Sequence, residues 1–177
     1  PALVIGHSLG GAAAILAADK LDSVKAIATI GAPFNPNHVQ QLFQGHLAEI
    51  TKEGSAEVKL GEKSFRISDK FIRDISGHRI EQTLRQLKKP ILVLHSPQDN
   101  IVGIENAAQI YEAAFHPKSF VSLDQADHLL SQKADSTYAG EVIAVWASRY
   151  LELAEREEPL STDKRVAVRT GDEGYTT

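Results

Sequence analysis

The sequence contains no cysteine among its 177 residues, which excludes disulfide bonds, a thiol nucleophile and a zinc site built on cysteine. Positive charge is not in excess, because 19 Lys and Arg stand against 23 Asp and Glu and the net charge is −4. Without a basic stripe, nucleic acid is not an expected partner. No apolar run approaches the roughly 18 residues that span a bilayer, so no membrane partner is expected either. The lack of cysteine fits a reducing cytoplasm, which is the expected location.

The composition that remains is typical of a globular domain, with 42% hydrophobic and 24% charged residues. Alternating apolar strands and helical patterns predict an α/β fold, with a doubly wound and mostly parallel sheet. The predicted strands cover residues 3–6, 24–30, 90–95 and 118–123, and the predicted helices cover 9–20, 104–115 and 136–155. We expect the last helix to carry its large apolar side chains on one face: Tyr138, Val142, Val145, Trp146 and Tyr150.

The most informative segment is a Gly-x-Ser-x-Gly motif, in which Ser8 lies between Gly6 and Gly10. An apolar strand precedes the motif and an alanine-rich helix follows it, which is the context that a nucleophile elbow requires. The turn strains the serine backbone, and we predict that a Cβ at either glycine would collide with neighbouring backbone. The alternatives are a turn without chemistry and a phosphate-binding loop, although the glycine spacing matches no phosphate motif.

Residues 34–89 are predicted to form an insertion between the second and third strands of the sheet. Their pattern predicts a helix over 38–50, a hairpin with strands over 56–60 and 64–68, and a helical stripe at Ile80, Leu84 and Leu87. Excursions of this length usually form a lid or a binding loop, which here would shape the substrate pocket. A surface excursion without function is the alternative.

The first domain is expected to cover residues 1–154, and because the chain opens directly on a strand, we expect the earliest strands of that domain to precede Pro1. Residues 155–164 are charged and lack an apolar period, which predicts a linker. Residues 165–169 alternate like a strand that has no partner in the preceding pattern. We interpret 165–177 as the start of a second domain, with a disordered tail as the alternative.

A serine nucleophile needs a base within hydrogen-bond reach and a carboxylate that orients the base. In doubly wound hydrolases the chain order is serine, acid, histidine, each in a loop after a strand. Ser8, Asp99 and His128 have this order, and each follows a predicted strand. Because ligands bind at the carboxyl ends of parallel strands, we predict that these three side chains meet in one cleft.

Other side chains compete for the roles of base and acid. His7 is expected to point away from the serine and to serve packing, and His95 to be a hydrogen-bonded histidine of the core. Asp127 directly precedes the histidine candidate, but adjacent loop residues rarely face one another, and Asp124 is expected to form a turn. The remaining histidines are expected at the surface or at a helix end: His38, His46, His78 and His116.

Acyl transfer also needs backbone N–H donors for the oxyanion. The first expected donor is the N–H of Leu9, the residue after the serine, and the second normally comes from a loop after an earlier strand, expected before Pro1. No cofactor and no metal are expected, because the sequence has neither a His-x-x-x-His or cysteine pair nor a dinucleotide glycine motif.

Three segments resemble the catalytic signatures of the α/β-hydrolase family: residues 6–11 (GHSLGG), 94–102 (LHSPQDNIV) and 126–128 (ADH). Three others are similar to bacterial fusions of an α/β-hydrolase with an OsmC-like domain: residues 30–34 (IGAPF), 116–123 (HPKSFVSL) and 145–150 (VWASRY). The resemblance extends from Pro1 to about residue 153. It implies a serine hydrolase acting on small esters or related acyl compounds, and the insertion is similar to that of small acyl and cinnamoyl esterases.

The fusion resemblance implies that residues 165–169 open an OsmC-like domain joined covalently to the hydrolase. Such a domain would reduce peroxides with cysteines, and because this chain has none, no peroxidase activity is assigned to it. Two classes of function stay open. The first is a serine hydrolase of esters, thioesters or amides, and the second is a binding module whose hydrolase fold docks a partner such as the OsmC-like half.

Overall fold

A computed structural model describes residues 1–35, 44–60, 63–70, 72 and 80–151. Its elements in chain order are β1 (Ala2–His7), α1 (Leu9–Lys20), β2 (Val24–Ile30), α2 (Leu47–Glu53), β3 (Ser55–Leu60), β4 (Lys63–Ser68), α3 (Ile80–Gln86), β5 (Ile91–His95), α4 (Glu105–Ala113), β6 (Lys118–Ser122) and α5 (Lys133–Ala147). Four strands form a parallel sheet in the order β1-β2-β5-β6, and β3 pairs with β4 in an antiparallel hairpin. The predicted α/β class and doubly wound parallel sheet are confirmed.

Helices cover both faces of the sheet, because its central strands are apolar on both sides. All five residues of β5 are buried, as expected for a parallel strand between two helical layers. Ile27 packs in one core with α1, α3 and α4, whereas its neighbour Ala28 packs in a second core with α5. Ile27 is fully buried, and burying such a side chain contributes roughly 1.5–3 kcal/mol.

The strand register brings the carboxyl ends of all four strands to the same edge of the sheet. His7 at the end of β1 lies opposite Ile30 at the end of β2, and Ile30 lies opposite Leu94 of β5. His95 pairs in turn with Ser122 at the end of β6. The loops that follow these strands therefore start side by side.

The last helix, α5, differs from its prediction in extent and in its buried face. It begins at Lys133 and ends at Ala147, earlier than predicted at both ends. Its buried residues are Ala139, Ile143 and Ala147, spaced four apart, whereas Val145 is 74% exposed. Of the predicted face, Val142 and Trp146 do pack against the core of this side of the sheet, whereas Tyr138 and Val145 are exposed, so the predicted face is confirmed only in part.

The insertion has a small core of its own, formed by α2 and the hairpin. Ile50, Ala56 and Val58 are buried there, with Leu47 and Ile67 packed against them. The predicted hairpin is confirmed, and α3 covers the start of the predicted stripe. The predicted helix over 38–50 is found only from Leu47, and residues 36–43 lie outside the described residues.

Among the helices that the structure describes, none combines the length and apolar character needed to cross a bilayer. The predicted linker over 155–164 and the predicted strand over 165–169 lie outside the described residues.

Candidate active site

Ser8 occupies the sharp turn between β1 and α1. Its backbone has φ 54° and ψ −130°, a conformation that an L-residue rarely adopts and that costs about 1–3 kcal/mol. The turn is held on both sides, because Ser8 N donates to Ile30 O at 2.8 Å and Gly11 N donates to Ser8 O at 2.9 Å. The hydroxyl is thereby presented at the carboxyl edge of the sheet.

Steric demand at this turn falls on Gly6 and Gly11 rather than on Gly6 and Gly10. A Cβ at Gly6 would overlap the backbone of Gly10 and lie 2.6 Å from Gly11 Cα, and one at Gly11 would lie 2.5 Å from Ala32 Cβ. A Cβ at Gly10 would meet nothing within 4 Å in the described part of the chain. The collision predicted at Gly10 is therefore wrong, because that residue lies on the exposed side of α1 and Gly11 faces the sheet.

A matched pair of substitutions tests this assignment. Gly6→Ala should lower the free energy of unfolding by about 3 kcal/mol or more, because the overlap is with backbone that cannot rotate away. Gly10→Ala should leave it unchanged or raise it by up to about 1 kcal/mol, because alanine is the better helix residue. Urea unfolding followed by circular dichroism measures both, and equal losses from the two variants would contradict the assignment.

The structure brings the side chains of Ser8, Asp99 and His128 together, although the three lie far apart in sequence. His128 Nε2 lies 3.0 Å from Ser8 Oγ, and His128 Nδ1 lies 2.6 Å from Asp99 Oδ2. Asp99 follows β5 and His128 follows β6, so each side chain comes from a loop at the same edge of the sheet. The side chains of Asp99 and His128 are 2% and 8% exposed, which shields their hydrogen bond from water.

Asp99 is ionised and fixed in orientation by its own loop. Burial raises the pKa of its carboxyl, but hydrogen bonds from the His128 side chain and from the N–H groups of Val102 and Ile101 outweigh burial, so the pKa lies below its ordinary value. Both N–H groups donate to Oδ1 at 2.9 Å, which leaves Oδ2 for the imidazole. The ionised carboxylate therefore accepts a hydrogen bond from the Nδ1–H group, and Nε2 carries a lone pair toward the serine hydroxyl.

His7 has a place in the site that its prediction missed. Its ring is exposed rather than packed, and its Nε2 lies 2.6 Å from the carbonyl oxygen of His128, to which it donates. The two rings are 4.9 Å apart. The side chain does not bond to Ser8 but ties the elbow to the histidine loop, which sequence adjacency to the serine could not reveal.

His95 is in the core as predicted, but it is only partly hydrogen-bonded. It is fully buried, its Nε2 donates to Val102 O at 2.8 Å, and the same atom lies 3.6 Å from Asp99 Oδ2. Its Nδ1 has no hydrogen-bond partner among the residues that the structure describes. His95 thus braces the loop that carries Asp99 instead of serving the core alone.

The competing acids lie on the histidine loop but do not reach the imidazole. Asp124 has φ 45° and forms a turn, and its carbonyl accepts a hydrogen bond from Ser96 Oγ. Asp127 is exposed and caps the next turn, where its carboxylate accepts from the N–H groups of Leu129 and Ser131. Hydrogen bonds from Ser131 lower the pKa of Asp127. These contacts assign both residues to loop structure.

The remaining histidines take no part in this cluster where they are described. His116 is exposed and His46 is partly buried, and His38 and His78 lie outside the described residues. Leu9 is the first residue of α1, so its N–H has no acceptor within the helix and is free to face a ligand near Ser8. No group of three or more His, Asp or Glu side chains in the described ranges is arranged to hold a metal ion.

The parallel sheet, the strained serine between β1 and α1, and the loops after β5 and β6 define the α/β-hydrolase fold. The esterase domain of a Rhodothermus marinus protein is similar to this chain, with 53% sequence identity and a TM-score of 0.76. The match covers 85% of this chain and 62% of that one, so the chain spans less than two thirds of the length of that relative.

More distant solved structures share the fold. Est1E from Butyrivibrio proteoclasticus is 19% identical with a TM-score of 0.63, and the match covers 82% of this chain and 60% of that one. A monoacylglycerol lipase from Paleococcus ferrophilus is 19% identical with a TM-score of 0.61, over 82% of this chain and 68% of that one. A scan of protein-family models finds no match, and neither does a search of curated protein sequences.

Proposed function

We propose that the chain is a serine hydrolase that cleaves carboxylic esters through an acyl-enzyme intermediate. The observation that carries this proposal is the unbroken pair of hydrogen bonds from Ser8 Oγ through His128 to Asp99 Oδ2, at 3.0 and 2.6 Å. The 53% identity to a Rhodothermus marinus esterase domain supports an ester as the substrate class. Thioesters and amides are further acyl compounds on which the same three groups can act.

In the first half of the reaction, Ser8 Oγ attacks the acyl carbonyl carbon while His128 Nε2 takes the hydroxyl proton. Asp99 keeps the imidazole in the required tautomer and stabilises the imidazolium that forms. The tetrahedral oxyanion accepts a hydrogen bond from the N–H of Leu9, and one such donor is worth about 3 kcal/mol in the transition state. Collapse breaks the bond to the leaving oxygen, which receives the proton from His128 and departs as the alcohol.

In the second half, water takes the place of the alcohol. His128 Nε2 removes a proton from this water, whose oxygen attacks the acyl carbonyl carbon. Collapse then breaks the bond to Ser8 Oγ, which recovers its proton from His128. The products are a carboxylic acid and the free serine, and the reaction consumes only the ester and water.

The same proposal includes the surroundings of the site. The insertion over 34–89 would contribute to the pocket for the acyl or alcohol group, as its length and hairpin indicate. Residues 165–177 would open an OsmC-like domain in the same polypeptide, supported by the alternating pattern over 165–169 and by the resemblance of neighbouring segments to such fusions.

A fluorophosphonate probe, which reacts with activated serines, tests the proposed nucleophile. The full-length wild-type protein should be labelled on the peptide that contains Ser8, and Ser8→Ala should lose the label. Ser148→Ala is the matched control, since Ser148 is exposed and its hydroxyl donates to Val145 O at the end of the helix, and it should label like the wild type. Labelling that persists in Ser8→Ala would exclude Ser8 as the nucleophile.

A further inference from the structure

The turn that follows β2 passes directly against the acid–base pair at Gly31. A Cβ atom at Gly31 would lie 3.1 Å from Asp99 Oδ2 and 3.3 Å from His128 Nδ1. These are the two atoms that share the 2.6 Å hydrogen bond. Both distances are shorter than the separations that Cβ atoms usually keep from other heavy atoms, so a side chain at this position would press on both partners.

We propose that Gly31 is a positioning residue of the active site, because its missing side chain leaves the space in which Asp99 aligns His128 with Ser8. The inference rests on the proposed function, since it gives Gly31 a part in the same proton relay. In this inference Gly31 acts through the acid and the base, whose atoms are the nearest to its missing side chain.

The backbone of this turn is anchored at both ends and cannot withdraw to make room. Gly31 N donates to Leu94 O at 3.0 Å, which continues the ladder between β2 and β5. Three residues later, Phe34 N donates to Asn106 Oδ1 at 3.0 Å, and buried Asn106 is itself held through Nδ2 to Gly103 O. A Cβ at position 31 therefore has to displace its neighbours rather than its own backbone.

Of those neighbours, Asp99 is the less able to move. Its Oδ1 is held by two N–H groups at 2.9 Å, and fully buried His95 lies 3.6 Å from Oδ2 on another side. The imidazole of His128 has to yield instead, by a few tenths of an ångström. That shift passes through the ring to Nε2, which lies only 3.0 Å from Ser8 Oγ.

Gly31 and Gly54 provide a matched pair for separating this effect from backbone strain. Both have positive φ, +53° and +78°, so alanine is strained at either position. Gly54 ends α2, and a Cβ there would meet nothing within 4 Å in the described ranges. Gly54→Ala therefore reproduces the strain without the contact to the acid and the base.

The test compares ester hydrolysis and thermal unfolding of the full-length Gly31→Ala and Gly54→Ala proteins. We expect a lower melting temperature for both variants, with the larger loss in Gly31→Ala because of its added contacts, and a fall in kcat of about tenfold or more with an unchanged KM for Gly31→Ala alone. A kcat within twofold of that of Gly54→Ala would overturn the inference. A raised KM with unchanged kcat would overturn it as well, because Gly31 would then act on binding.

If Gly31→Ala does not fold, the pair Gly31→Asn and Gly54→Asn decides, because asparagine adopts positive φ more readily and keeps the Cβ contact. A kcat loss confined to Gly31→Asn supports the inference, and equal kcat values oppose it. Failure of the proposed function has a different signature, namely no hydrolysis by the wild type or full hydrolysis by Ser8→Ala. Suppose that the wild type hydrolyses the ester and Ser8→Ala does not. If the Gly31 variants then have the same kcat as the matching Gly54 variants, the inference fails and the proposed function stands.

Discussion

Replacing either Ser8 or His128 by alanine should lower kcat for ester hydrolysis by about 10⁶-fold, and replacing both should cost no more than replacing one. The 3.0 Å contact between Ser8 Oγ and His128 Nε2 makes the pair act as one unit. Without the imidazole the hydroxyl keeps its proton and is a weak nucleophile, and without the hydroxyl the imidazole has nothing to activate. The residual rate should come from binding and from the oxyanion donor.

The measurement is steady-state hydrolysis of p-nitrophenyl esters by the wild type, the two single variants and the double variant. His116→Ala is the matched control, because His116 is exposed and lies outside the cluster, and it should keep the wild-type kcat. Circular dichroism establishes that each variant is folded. If the fold-losses in kcat multiply in the double variant, the two residues act independently, which contradicts a shared proton transfer.

Replacing Asp99 by asparagine should lower kcat by about 10⁴-fold while the protein stays folded. The N–H groups of Ile101 and Val102 would keep the amide oxygen at the position of Oδ1, where each now donates at 2.9 Å. The amide nitrogen would then replace Oδ2 and donate to His128 Nδ1. That hydrogen bond selects the tautomer with its proton on Nε2, which cannot take a proton from Ser8.

Asp124→Asn is the matched control for this prediction. It makes the same chemical change in the neighbouring loop, at a position with φ 45° that asparagine tolerates, and it does not touch the imidazole. Its kcat should equal that of the wild type. A loss of less than tenfold in Asp99→Asn, measured with the same esters, would show that Asp99 does not control the tautomer of His128.

Much of the framework was predictable because it depends on local pattern. The apolar run over 91–95 indicated a strand buried on both faces, and the alanine-rich stretch over 9–20 indicated a helix lying close to the sheet. The hairpin followed from alternation on either side of a glycine turn. In each case the side chains near in sequence are the ones that determine the element.

Local pattern failed where a side chain's neighbours come from another part of the chain. Val145 has the size of a core residue but is 74% exposed, whereas Ala139 of the same helix is buried in the core with Leu92 and Leu94. Gly10 belongs to the motif, yet the helix residue in tight contact is Gly11, because it faces Ala32 in the turn after β2. No periodicity within either helix contains that information.

The histidines show the same division at the site. The position of His95 at the end of an apolar strand predicts its burial in the core, but its approach to Asp99 Oδ2 depends on how the following loop turns back. The position of His7 beside Ser8 predicts only a packing role, because its hydrogen-bond partner is the carbonyl of a residue 121 positions away. Gly31, which lies against Asp99 and His128, has no side chain, so a search of the sequence for reactive groups does not find it.

The order of strands and helices, the strained motif around Ser8 and the three loops with reactive side chains were determined by the sequence itself, because apolar periodicity and glycine spacing act over a few residues. Only the tertiary structure decided that His128 Nε2 lies 3.0 Å from Ser8 Oγ and that His128 Nδ1 lies 2.6 Å from Asp99 Oδ2. It alone also decided that Gly31 leaves space beside the acid and the base. The physical reason is that hydrogen bonds and close contacts depend on distances of tenths of an ångström, which are set by the packing of strands remote in sequence.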